Sequence, residues 1–152
     1  MTATNLPADY ILVEGYPNVR DYLNLRNSTG LSPRNEEQAS AALRGSWYGV
    51  YIAEKETPTK AIAMGRVIGD GGWYFLIADM MTAEEHQRKG LGDVVLKSLL
   101  AGIRCRAARG NAYVTLGADP PGRRLYQKNG FKETMPQVMG MGLMVECDGG
   151  EE

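Results

Sequence analysis

Cysteine, histidine and phenylalanine are scarce in this 152-residue chain, which has two, one and two of them respectively. Cys105 lies in a stretch of helical character and Cys147 near the C-terminal end, so no disulfide framework is expected. His86 has no cysteine or second histidine at ligand spacing, and no metal site is expected. Long hydrophobic runs are missing, so no contact with a membrane is expected. The opening MTATNLPADY has neither the basic region nor the apolar run of a secretory signal, which makes a cytoplasmic location the expectation. Nor is charge of one sign in excess: 17 Lys and Arg face 18 Asp and Glu, a net charge of -1, and no nucleic-acid partner is expected.

What is present is an ordinary globular composition, 43% hydrophobic and 23% charged, in a length that suits one domain with its own core. A single domain over residues 1–152 is expected, flexible at 1–9 and 147–152. Tyr10–Val13 reads as a first strand. Asn18 is placed to cap a helix carrying Val19, Tyr22, Leu23 and Leu25. Ser32-Pro33 reads as the opening of a second helix through NEEQASAALR, acidic early and basic late. Trp47–Ala53 and Ala61–Ile68 read as an antiparallel hairpin, followed by a tight glycine turn and the most hydrophobic strand, Trp73–Met81. The period then lengthens, and Gly90–Ala108 reads as a helix with Leu91, Val94, Val95, Leu99 and Ile103 near one face. Ala112–Leu116 reads as a strand, Arg124–Lys128 as one or two helical turns, and Phe131 as the start of an extended piece. Val138–Glu146 reads as a last strand, weakened by its glycines. The class is α/β, with a mixed central sheet flanked by helices.

The sharpest signal is Gln87-Arg88-Lys89-Gly90-Leu91-Gly92, between the strongest strand and the strongest helix. Its glycines let the backbone turn and a ligand come close, and the N–H groups at the helix start form an anion site beside two cations. The triphosphate loop GxxxxGK followed by Ser or Thr is absent. GxGxxG also fails, because Gly90-Leu91-Gly92-Asp93-Val94-Val95 lacks its third glycine. The clusters Arg88-Lys89 and Arg123-Arg124 could receive a phosphorylated ligand, whereas Arg104, Arg106 and Arg109 read as a solvated face.

QRKGLG resembles the acetyl-CoA signature Q/R-x-x-G-x-G/A of the GNAT superfamily of N-acetyltransferases. Further on, Arg124-Leu125-Tyr126-Gln127-Lys128-Asn129-Gly130-Phe131 resembles that family's LYxKxGF motif, at family-like spacing. The resemblance covers nearly the whole chain and implies the GNAT acyl-CoA N-acyltransferase fold. More loosely, RVIGDGGWYFLIADMM resembles small bacterial-type members and plant serotonin N-acetyltransferases, which favours a small amine as substrate. Asp93 departs from the pattern, and a carboxylate so near a pyrophosphate must point away.

The resemblance implies acetyl-CoA as cosubstrate, lying between splayed central strands. The backbone near Met80, Met81 and Thr82 would pair with pantetheine, and Gln87 with the amides of Arg88, Lys89, Gly90, Leu91, Gly92 and Asp93 would hold the pyrophosphate. Tyr126 matches the family tyrosine that protonates the leaving thiolate. Asp79, acidic within an apolar strand, is a candidate base or else a structural hydrogen-bond acceptor. Glu84, Glu85 and His86 are further candidates, His86 reading better as a loop residue. Tyr22, Arg26, Asn27, Leu31, Trp47 and Tyr48 are candidates to line the acceptor site, where aromatic rings would suit an arylalkylamine. The expected activity is acetyl transfer to a primary amine. A peptide or protein acceptor, and a non-catalytic acyl-CoA sensor, are the alternatives. Proteins of this kind often pair through their final strands, so a homodimer is a further expectation.

Overall fold

The computed structural model describes residues 5–150. The ends of the expected flexible segments, residues 1–4 and 151–152, lie outside the described residues. The chain divides after Leu116 into two compact units.

The first unit holds strands β1 (Tyr10–Glu14), β2 (Tyr48–Glu54), β3 (Ala61–Gly69), β4 (Tyr74–Thr82) and β5 (Tyr113–Thr115). Its helices are α1 (Val19–Ser28), α2 (Glu36–Gly45) and α3 (Leu91–Arg106). The strands form one sheet in sequence order, antiparallel from β1 to β4, with β5 parallel to β4. The sheet is therefore mixed, as expected. α1 starts where Asn18 accepts a hydrogen bond from the Asp21 N–H at 2.9 Å. α2 begins later than Ser32-Pro33 suggests, because Asn35 takes the Gln38 N–H at 2.7 Å and so sets the cap.

α3 packs on one face of the sheet. Val95, Leu96 and Leu99 are fully buried there, each contributing about 1.5–3 kcal/mol. Gly102 lets the helix lie against the Tyr48 ring, which a Cβ would meet at 2.1 Å. α1 and α2 cover the other face, where Tyr22, Leu25, Ala39 and Leu43 pack against Tyr51, Met64 and Met81.

The second unit holds one short helix, α4 (Arg123–Lys128), after a 3-10 turn at Pro120–Gly122. Neither the extended piece from Phe131 nor the strand Val138–Glu146 forms. Met141, Leu143 and Met144 are exposed, so that alternating run buries no face. Its glycines remove the side chains that would have held it against a neighbour.

Candidate active site

β4 pairs with β3 along almost its whole length but meets β5 only at Tyr74–Leu76. From Ile77 to Thr82 its other edge has no strand beside it among the described residues. Main-chain groups along a strand face the two sides alternately. The Ala83 N–H donates to the Ile62 carbonyl at 2.7 Å, so Ala83 and Met81 turn their main-chain groups to β3. Met80 and Thr82 then present theirs to the free edge. The Thr82 carbonyl accepts a hydrogen bond from Gln87 Nε2 at 3.1 Å, which fastens the following loop to that edge.

The loop turns on two left-handed residues, Arg88 at φ 63 and Gly90 at φ 80. Gly90 caps α3 without any side-chain bond, so the amides of Leu91 and Gly92 keep no side-chain acceptor among the described residues. With the helix dipole they favour an anion. Asp93, in that same turn, pairs with Lys97 at 2.7 Å one turn on, which directs its carboxylate along the helix. Lys89 does not reach into the loop. Its Nζ donates to the Tyr10 hydroxyl at 3.2 Å, and that hydroxyl lies 2.8 Å from His86 Nδ1. His86 Nε2 lies 3.4 Å from Glu54. Both ring nitrogens are thus engaged in fixing the loop to the ends of β1 and β2, consistent with a loop residue. Glu84 and Glu85 are exposed.

One residue upstream of Met80 the register of β3 and β4 slips. Met64 faces Met81 and Arg66 faces Ala78, so Gly65 alone spans Asp79 and Met80. A Cβ on Gly65 would sit 2.6 Å from Met80 Sδ and 2.8 Å from Leu99 Cδ1. Asp79 takes φ 54, unusual for a residue with a side chain. The bulge turns its carboxylate to the face covered by α1 and α2. There Arg26 Nη1 donates to Oδ1 at 2.5 Å, and Arg66 Nε and the Tyr22 hydroxyl donate to Oδ2 at 2.6 and 2.5 Å. Asp79 is therefore a structural acceptor for three donors, the second of its two expected roles. Burial, and then the bond to Asp79, raises the Tyr22 phenol above its ordinary 10.0.

These groups line a cavity of about 340 Å³. Tyr22, Arg26, Arg66 and Asp79 line it together with Arg34, Gln38 and two alanines of α2. Each nitrogen of Arg26 is engaged, since Nε and Nη2 also donate to the Ser32 carbonyl at 3.1 and 2.7 Å. Arg66 spends Nη1 on Ser46 Oγ at 3.1 Å, which leaves Nη2 without a protein partner.

Of the six residues expected to line an acceptor site, Tyr22 and Arg26 line this cavity. Leu31 packs against the neighbouring core, and Asn27 is exposed. Trp47 stacks on Phe75 at 4.8 Å, and Tyr48 lies beneath the Arg106 guanidinium at 4.4 Å on the α3 face. The sheet separates these rings from the cavity. Arg34, Gln38 and Arg66 escaped the sequence reading. Arg66 carried a signal, a lone charge in AIAMGRVI matched by the lone Asp79 of the next strand. In the second unit Tyr126 is half-buried and meets Phe131 edge-on at 6.0 Å. Burial, and then the charge of Asp119, raises its phenol above the ordinary 10.0.

Residues 46–133, more than half of the chain, match the family model described as an acetyltransferase (GNAT) domain. A probable acetyltransferase of methicillin-resistant Staphylococcus aureus, whose crystal structure is known, shares 32% identity and superposes with a TM-score of 0.81. The match covers 90% of this chain and 99% of that one. A GNAT-family protein of Streptococcus pneumoniae has the same fold at 18% identity, with a TM-score of 0.71 over 90% of this chain and 98% of that one. An uncharacterised N-acetyltransferase of Pyropia yezoensis is 28% identical over 125 residues, 82% of this chain and 70% of that protein.

Proposed function

The chain belongs to the GNAT family of acetyltransferases, and we propose that it moves an acetyl group from acetyl-CoA to a primary amine of a small molecule. The observation that carries this reading is the unpaired edge of β4, which leads directly into the uncapped start of α3. The main chain of Met80 and Thr82 would hold the pantetheine arm, Met81 being turned to β3, and the amides of Arg88–Asp93 the pyrophosphate. The residues fit that group: the free edge offers strand-like main-chain partners, Gly90 leaves the approach clear, and Asp93 is drawn off by Lys97. Acetyl-CoA would supply a thioester carbon open to attack by a neutral amine.

The remaining work falls to this chain's own groups. The amine nitrogen must lose a proton as it bonds to the acetyl carbon, and the departing sulfur must gain one. Tyr126 is the proposed donor to the sulfur; its raised phenol stays protonated through neutral pH and can give up a proton to a strongly basic thiolate. Asp79 already serves three donors and is proposed to hold the acceptor cavity in shape, with solvent taking the amine proton. That cavity lies on the face of α1 and α2, and Asp79, the residue before Met80, lines it. Tyr22 is the one ring lining it, so an aryl group is not what its walls select.

The test is release of CoA from acetyl-CoA in the presence of a panel of amines, amino acids and lysine peptides, with product masses measured. Tyr126→Phe is expected to lower kcat about 100-fold while sparing donor affinity. Unchanged turnover would remove Tyr126 as the acid. Acetylation of peptides alone would replace the small-molecule acceptor with a protein. Donor binding without any product would make the chain a sensor.

A further inference from the structure

The acceptor cavity is electrically lopsided. Arg26, Arg34 and Arg66 line it against the single carboxylate of Asp79. Asp79 takes one donor from Arg26 and one from Arg66, and no acid is left for Arg34, whose Nη1 meets only the Pro33 carbonyl at 2.9 Å. No buried side-chain nitrogen or oxygen lacks a partner among the described residues, yet Arg66 Nη2 has no hydrogen bond among them, so that nitrogen keeps access to solvent on a residue that lines the cavity. The space of about 340 Å³ far exceeds the roughly 30 Å³ share of one water molecule. A guanidinium fixed by Asp79 and Ser46, with a further N–H to give and a second, exposed guanidinium lining the same cavity, suits an oxyanion.

We infer that the acceptor amine carries an anionic oxygen group, a carboxylate or a phosphate, bound between Arg34 and Arg66 Nη2. This rests on the acetyl-transfer reading for the amine end of the ligand, but the anion site stands on the arginines themselves. The charge does a second thing. A cavity with surplus cations disfavours an ammonium group, so the amine is held in the neutral form that attacks a thioester. The anionic group supplies the attraction that an ammonium alone would lack there. Polyamines and simple arylalkylamines, which carry no anionic group, are then poor acceptors. Their counterparts with a carboxylate or phosphate are good ones.

Matched pairs test this: tryptophan against tryptamine, ornithine against putrescine, and phosphoethanolamine against ethanolamine. Transfer is followed by CoA release, and amine binding without donor by calorimetry, in the wild type, Arg34→Ala and Arg34→Lys. Arg34 is exposed, so its replacement leaves the fold intact. The anionic member of at least one pair is expected to have kcat/KM at least about tenfold higher. Arg34→Ala should raise its KM about tenfold with little change in kcat, Arg34→Lys should recover part of the loss, and the member without the anionic group should lose much less. The carboxylate and phosphate pairs separate the two forms of the anion. Equal use of both members of every pair, or an equal loss on both in Arg34→Ala, overturns the anion site and leaves the transferase reading intact. Anionic amines that bind the wild type but not Arg34→Ala, without any transfer, support the site and overturn the transferase reading. Failure of every anionic amine to bind overturns the site.

Discussion

At Asp79 two guanidinium groups and a phenol converge on two carboxylate oxygens, all with side chains largely shielded from water. Removing the negative charge leaves two arginines facing each other across a buried gap. Asp79→Asn is therefore expected to cost about 3–5 kcal/mol of stability, read from the shift in the urea midpoint. A general base would behave differently, with turnover lost and the midpoint unmoved. The sequence exposed part of this arrangement, because a lone acid in an apolar strand needs a partner. It did not show which partner. Arg66 stands thirteen residues away in sequence and Arg26 lies on a helix, and only the register of the bulge brings them to the same carboxylate.

Among the elements, the bulge in β4 depends on a single missing methyl group in β3. Gly65 faces α3, and a side chain there would press on Met80 Sδ and on the Leu99 and Val95 methyls. Gly65→Ala should cost about 1–3 kcal/mol by overpacking. The strain falls on Met80, so donor affinity measured by calorimetry should drop along with the melting temperature. A variant that melts lower but binds donor unchanged would separate the bulge from the donor edge. Strand and helix identities in this unit were legible from their periods, and the cap at Asn18 from its residue type. The cap at Asn35 was missed because Ser32-Pro33 offers an equally good opening signal. The placement of Trp47 and Tyr48 was missed because sequence cannot say which face of a sheet a ring takes until the strand order is known.

Across the whole molecule, the two units hold their backbones differently. The amides of β2 and β3 are paired on both sides, whereas residues 131–150 form no strand or helix. Hydrogen exchange should therefore be slow through β2 and β3 and near the unprotected rate over most of 131–150. Slow exchange at Val138–Glu146 would show that the expected last strand does form in solution. That segment misled because its large residues alternate as in a strand, and alternation reports only a capacity for pairing. A strand also needs a neighbour.

The unpaired half of β4 ties the fold to its surroundings. Folding leaves the main-chain groups of Met80 and the Thr82 N–H to water or to a ligand, and a ligand that meets them binds the folded chain and not the unfolded one. Resistance to unfolding is then a function of ligand supply. At a concentration one hundred times the dissociation constant the folded state gains about 2.7 kcal/mol, and it loses that margin when the supply fails. With the acyl donor proposed above as that ligand, the lifetime of the protein would become a readout of the donor pool.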